Sequence, residues 1–368
     1  MQGKKILDTL TPYQQGKQMK EIKEAYGLEK IVKLSSNENP YGFSPSVKAY
    51  FKENPFDFHI YPDGYTAELR TAVAEKYKVT ENQIIFGSGS EEIVQMISRA
   101  FLYPGVNVVM PTPSFPQYKH NALIEGAEIK EIPTVDGYHD LQKMLWAIDE
   151  NTTVMWLCSP NNPTGSVIPK EQLYDFLDKC PEHVVIALDE AYYEYMEKEE
   201  DPEAIKFLSR YPNVIILRTF SKAYGLAGLR VGYGIANPEL IRKLDVIRGP
   251  FNTTSVAQKA ALLAMKDQTF IKETYSANLA VRKSFEAFLD DLGWDYLPSQ
   301  TNFLLVSTPV SGMDVFQHLI ERGFIVRPGE LLGCPNTIRM TVGMEEDMTS
   351  LKQILKNYHE QLTKGLSV

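Results

Sequence analysis

Cysteine is scarce: Cys158, Cys180 and Cys334 are the three in 368 residues, far apart and with no Cys-x-x-Cys pair. Neither a disulfide framework nor a cysteine zinc site is suggested, and Cys158, inside an apolar run, reads as a small buried hydrophobe. The six histidines form no ligand cluster, so no metal is implied. No apolar stretch approaches the roughly 18 residues needed to cross a bilayer. The opening Met1-Gln2-Gly3-Lys4-Lys5 leads into Ile6-Leu7-Asp8-Thr9-Leu10, whose polar interruptions deny it the apolar centre of a secretory signal. A soluble, cytoplasmic protein is the expectation. Positive charge is in deficit too, 38 Lys and Arg against 47 Asp and Glu, a net −9. That balance repels a polyanionic backbone and argues against nucleic acid as a partner. It leaves room for small anionic substrates in a cleft where a few arginines converge. The acidic run Glu197 to Asp201 is a solvated loop. No internal repeat and no low-complexity tract is visible.

What the chain does have is apolar content, 43% of its residues, enough for a large core and an expected two domains. Unbroken apolar runs at Gln83 to Phe86, Val106 to Met110, Thr153 to Cys158, Val184 to Leu188, Val214 to Leu217 and Val231 to Ile235 alternate with helical patterns. Short strands of this kind are buried on both faces, which predicts an α/β fold with a largely parallel sheet covered by helices over about residues 44–275. Further strands are expected at Thr301 to Val306, Gly323 to Arg327 and Thr337 to Val342, between amphipathic helices.

Chemistry-bearing residues stand directly after the apolar runs. Lys222 lies in Thr219-Phe220-Ser221-Lys222-Ala223-Tyr224-Gly225-Leu226-Ala227-Gly228-Leu229-Arg230, just beyond the run ending at Leu217. A lone lysine is ordinarily a solvated surface residue; three other segments change its meaning. Gly87-Ser88-Gly89-Ser90-Glu91-Glu92 opens a helical pattern, Ser159-Pro160-Asn161-Asn162-Pro163-Thr164-Gly165 follows the run ending at Cys158, and Asp189-Glu190-Ala191-Tyr192 follows the run ending at Leu188. Ligands in parallel sheets bind beyond the carboxyl ends of the strands, so these segments are expected to meet at one edge.

With these segments together, the chain resembles the fold-type I aminotransferases that depend on pyridoxal 5′-phosphate (PLP), from about Pro12 to Gly343. Pro12-Tyr13-Gln14-Gln15-Gly16-Lys17 and Lys33-Leu34-Ser35-Ser36-Asn37-Glu38-Asn39-Pro40-Tyr41-Gly42 resemble the histidinol-phosphate branch of that family. The resemblance implies a large PLP-binding domain over 44–275 and a smaller α+β domain from 1–43 and 276–368.

It also implies roles. Lys222 matches the Schiff-base lysine, which also carries the proton between substrate Cα and the cofactor. Asp189 matches the carboxylate that keeps the pyridine nitrogen protonated, and Tyr192 and Asn162 the donors to the ring's phenolic oxygen. Gly89, Ser90 and the Glu91 amide would cradle the phosphate at a helix N-terminus, with the Glu91 side chain directed away. Thr219, Ser221 and Arg230 would add contacts from the lysine loop. Phe115 matches the aromatic residue that stacks on the ring, where many relatives carry tyrosine or tryptophan. Tyr61 matches a tyrosine given to the phosphate by a neighbouring subunit, which implies a homodimer with shared active sites. Arg339, inside an apolar strand, needs an anionic partner and matches the substrate-carboxylate arginine. Arg327 and Tyr13 resemble the branch's phosphate-recognising residues for histidinol phosphate, and Asn39 a further substrate contact.

The expected reaction is amino transfer from L-histidinol phosphate to 2-oxoglutarate, giving imidazole acetol phosphate and glutamate. Aromatic amino-acid aminotransfer shares every cofactor residue, and a PLP-dependent decarboxylase of a phosphorylated amino acid is a third enzyme reading. A non-catalytic, effector-binding protein that retains PLP is the alternative from another class. The intact lysine, aspartate and arginine set speaks against it.

Overall fold

The computed structural model of the chain describes residues 3–10, 19–54 and 57–365. Among these it runs through β1 (Val32–Lys33), β2 (Ile84–Gly87), β3 (Asn107–Thr112), β4 (Glu128–Pro133), β5 (Thr152–Cys158), β6 (Val185–Asp189), β7 (Val214–Thr219), β8 (Gly232–Ala236), β9 (Phe303–Ser307), β10 (Phe324–Ile325), β11 (Arg327–Pro328) and β12 (Thr337–Thr341).

Seven strands make the main sheet in the order β2-β8-β7-β6-β5-β3-β4. The inner run from β4 to β7 is parallel throughout, and β8 and β2 add antiparallel pairings at one side. Every residue of β2, β6, β7 and β8 is buried, because helices cover both faces: one face packs Phe86, Leu188, Val214 and Ile216, the other Ile85, Trp156, Ala187 and Leu217. The α/β expectation therefore holds. The edge strand β4 was not foreseen. Its Glu-Ile-Lys-Glu-Ile-Pro alternation leaves charged side chains on a half-exposed edge, so no apolar run announces it.

A second body holds the antiparallel sheet β11-β12-β9 and the parallel pair β1-β10. Its core gathers Leu304, Val306, Ile338, Met340, Phe285 and Leu351. The helix Gln268–Leu292 joins the two bodies, burying Ile271 in the main core and Phe285 and Leu289 in the second. At 25 residues it is about 37 Å long. β1 pairs with β10, Val32 opposite Phe324, so the segment that follows β1 leaves the second body and crosses towards the main sheet.

Candidate active site

The register places three strand ends side by side: Cys158 of β5 pairs with Asp189 of β6, which pairs with Leu217 of β7. β7 and β8 are antiparallel, so the connection between them returns over the sheet edge, closed by Phe220 N–H to Val231 O at 3.1 Å. Lys222 stands in this connection. Its Nζ donates to Ser36 O at 3.2 Å and lies 5.5 Å from the Tyr192 ring centroid. Burial, assisted by the Arg339 charge, lowers its pKa to about 8, so near neutral pH an appreciable fraction is the free amine.

Asp189 is buried at 4% exposure. Its Oδ2 accepts from Tyr118 Oη at 2.7 Å and its Oδ1 from Ala191 N at 3.1 Å. Burial raises the carboxyl's pKa against the pull of these donors. A buried carboxylate with neutral donors only is a ready acceptor for a cationic N–H. Tyr118 was missed by the sequence reading, although it closes the segment that contains Phe115. It is fully buried, stacked on Trp156 at 4.4 Å and edge-on to Phe115 at 5.4 Å. Phe115 itself caps the helix Pro116–Glu125 and is half-buried. Tyr192, three residues past Asp189, accepts from Asn37 Nδ2 at 2.9 Å, and burial pushes its phenol up to about 12.

The anion cradle lies at the N-terminus of the helix Ser90–Phe101. Gly89 caps it with φ 77°, and a Cβ there would sit 2.6 Å from Arg230 Nη2. A Cβ on Gly232 of β8 would meet Ser90 N at 2.4 Å. Glycine is required at Gly89 by its backbone conformation and at Gly232 by the close approach of the helix-start backbone. Arg230 holds a left-handed backbone (φ 54°), and its Nη1 donates to Ser221 Oγ at 3.3 Å. Ser221 N donates to Thr219 Oγ1 at 3.1 Å, which ties the lysine loop to the end of β7. The Glu91 side chain departs from expectation: its Oε2 is 3.8 Å from Arg230 Nη2 instead of turning away. Both groups are partly exposed, so this loose pair is weak and yields readily to a dianion.

On the second body, Arg327 of β11 stands directly opposite Arg339 of β12. Opposed residues in an antiparallel pair share a face. Arg339 is buried and reaches back to the main body, donating from Nη1 to Asn162 Oδ1 and from Nη2 to Ser35 O, each at 2.6 Å. These two partners are neutral. The segment after β1 supplies the lining between the bodies: Ser35, Ser36 and Asn37 contact Arg339, Lys222 and Tyr192, none of which the sequence reading paired. Asn39 uses its Nδ2 on Ala223 O at 2.8 Å and so holds the lysine loop, beside the substrate role expected of it. Tyr13 lies outside the described residues. Tyr61 is 79% exposed and stacked on Phe251 at 4.8 Å.

The residues fit a phosphorylated pyridine aldehyde. Lys222 offers an amine of lowered pKa, Asp189 a buried carboxylate for a ring N–H, Phe115 an aromatic edge, and the Gly89–Ser90 helix start with Arg230 a phosphate cradle. Among the described residues no group of three or more His, Cys, Asp or Glu could hold a metal.

Comparison with known proteins gives one consistent pattern. The profile of the aminotransferase class I and II family matches residues 29–355. Histidinol-phosphate aminotransferase 2 of Oceanobacillus iheyensis is 58% identical over 363 residues, covering 98% of this chain and 100% of that protein. Histidinol-phosphate aminotransferase of a Geobacillus species is 53% identical, covering 97% and 99%. Among solved structures, histidinol-phosphate aminotransferase from Sinorhizobium meliloti in complex with pyridoxal-5′-phosphate superposes with a TM-score of 0.89 at 28% identity, covering 97% of each chain.

Proposed function

The chain belongs to the aminotransferase class I and II family, and from that premise we propose that it transfers the amino group of L-histidinol phosphate to 2-oxoglutarate in histidine biosynthesis, with PLP as cofactor. The names of the near-full-length relatives support this reading. The observation that carries it is the Arg327–Arg339 rung, two arginines on one sheet face with Arg339 reaching Asn162. A phosphate dianion accepts charge-assisted donation from guanidinium groups, bidentate where the fork faces it. The same pocket serves the carboxylate of glutamate in the return half-reaction.

When bound, PLP supplies the electron sink that allows substrate Cα to lose its proton. The chain's residues do the rest. Asp189 holds the proton on the ring nitrogen, and Tyr118 and Ala191 N–H hold Asp189. Tyr192 Oη and Asn162 Nδ2 donate to the ring's phenolic oxygen. Gly89, Ser90, the Glu91 amide, Thr219, Ser221 and Arg230 bind the phosphate, and Phe115 covers the ring. Lys222 would hold the cofactor aldehyde through its amine and would carry the proton at substrate Cα. Arg327, Arg339, Tyr13 and Asn39 orient the substrate.

The proposal extends to organisation. Residues 44–275 form the cofactor-binding domain, and 1–43 with 276–368 the small domain that closes the cleft. The chain works as a homodimer in which Tyr61 reaches the phosphate of the neighbouring site. Phe58, Ile60, Tyr61, Tyr65 and Val246 are all at least 60% exposed, an apolar set that a second copy would cover. No helix among the described residues is long and apolar enough to cross a membrane, and a cytoplasmic location is proposed with the pathway. Parallel turnover assays with histidinol phosphate, tyrosine and phenylalanine test the reading. A preference for either aromatic amino acid would replace it with aromatic aminotransfer.

A further inference from the structure

One step along each strand from the residues just described, Glu190 follows Asp189 at the end of β6 and Arg218 precedes Thr219 on β7. The register pairs Asp189 with Leu217, so Glu190 and Arg218 form the next rung, and strand alternation turns them to the face opposite Asp189. There they make a fully enclosed ion pair. Arg218 donates from Nε at 2.9 Å and from Nη2 at 2.7 Å to the same Glu190 oxygen, with the two residues 1% and 0% exposed. The guanidinium Cζ lies 3.4 Å from the Tyr193 ring centroid and 4.9 Å from that of Tyr77. Tyr77 in turn hydrogen-bonds Tyr233 of β8 at 2.8 Å. The pair thus joins the end of β6, the turn after it, β7, β8 and the helix Ala67–Tyr77 at one point.

Stability alone does not account for this pair. Two charges removed from water pay a desolvation cost that can exceed their attraction, and apolar residues of similar volume commonly do as well. Here the second Glu190 oxygen and the Arg218 Nη1 have no hydrogen-bond partner among the described residues, which adds to that cost. What the pair supplies is direction: a forked, stacked guanidinium fixes the angle between two strand ends in a way that apolar packing does not.

We propose that Arg218 and Glu190 are positioning residues for the transamination, holding the ends of β6 and β7 so that Asp189 and the Lys222 loop keep their mutual placement around the cofactor. The proposal rests on the cofactor roles assigned above to Asp189 and Lys222. Arg218 lies four residues from Lys222, and Glu190 adjoins Asp189, so loosening the pair displaces both groups that address the cofactor ring. A displacement of about 1 Å at reacting groups costs roughly a hundredfold in rate.

The test compares parent, Arg218→Lys, Glu190→Gln and the apolar double variant Arg218→Met/Glu190→Leu. Three quantities are measured: thermal midpoint without cofactor, the pH midpoint of the visible cofactor–lysine absorbance, and kcat and KM for histidinol phosphate. The double variant should melt within a few degrees of the parent, yet its absorbance midpoint should move by about half a pH unit or more as the ring partners shift. Its kcat should fall at least about tenfold with KM changed much less, the signature of lost orientation. Arg218→Lys keeps the charge without the fork and should not rescue. Should the double variant not fold, Arg218→Lys and Glu190→Gln carry the same readouts. Parental absorbance midpoint and kcat in the folded variants would overturn the proposal. If the parent itself shows no absorbance from a lysine adduct, the cofactor reading falls first, an outcome visible before any variant is made.

Discussion

Tyr118 donates its hydroxyl to Asp189 at 2.7 Å while its ring lies edge-on to Phe115, so one buried side chain braces both of the residues proposed to address the pyridine ring. Asp189→Ala removes the charge proposed to keep the ring nitrogen protonated. A loss of about 3 kcal/mol or more in transition-state stabilisation is expected. Tyr118→Phe keeps the shape and removes one donor to a charged acceptor, about 1.5–3 kcal/mol. It should weaken PLP binding by tenfold or more on that scale, measured by titrating the apo-protein. Unchanged PLP affinity in Tyr118→Phe would reduce the hydrogen bond to a packing detail.

Lys222 carries a pH signature of its own. Only the unprotonated amine condenses with an aldehyde, and its pKa is lowered from 10.5 to about 8 by burial. The rate at which apo-protein captures PLP should therefore rise through pH 8 and level off, instead of climbing towards 10.5. The linkage has a definite sign. A lysine whose folded pKa is depressed costs the apo-protein stability below pH 8, and the cost disappears as pH rises towards 10.5. Lys222→Met should accordingly melt higher than the parental apo-protein at pH 7, with the gap closing in that window. A capture rate still rising above pH 10 would contradict the buried amine. Borohydride reduction followed by peptide mapping should find the adduct on Lys222, and an adduct on another lysine would reassign the site.

The main sheet and the gathering of polar segments beyond its strand ends were legible because each signal was local. Unbroken apolar runs such as Val214 to Leu217 mark strands buried on both faces, and the polar motifs follow those runs within a few residues. What stayed hidden depends on contacts distant in sequence. Ser35 and Ser36 meet Arg339 and Lys222 only after β1 pairs with β10 and brings the N-terminal segment across the cleft. Arg218 and Glu190 read as ordinary charges at strand ends until register makes them a rung. The charged edge strand β4 carried no apolar run at all.

Tyr61 should be inert within its own subunit and active in its neighbour's. Mixing Lys222→Ala with a Tyr61→Ala chain impaired in cofactor retention should give heterodimers with one intact site, recovering activity that neither parent variant has. A strictly monomeric, fully active protein would end the shared-site account.

The substrate claim is tested most directly at the Arg327–Arg339 rung, by kcat/KM for histidinol phosphate and for phenylalanine in Arg327→Ala and Arg339→Ala. A phosphate dianion that loses one charge-assisted partner in the cleft should cost about 2–5 kcal/mol. Arg327→Ala should impose that loss on histidinol phosphate and much less on phenylalanine, whereas Arg339→Ala should damage both. Equal losses for the two substrates in Arg327→Ala would contradict phosphate recognition at this pair.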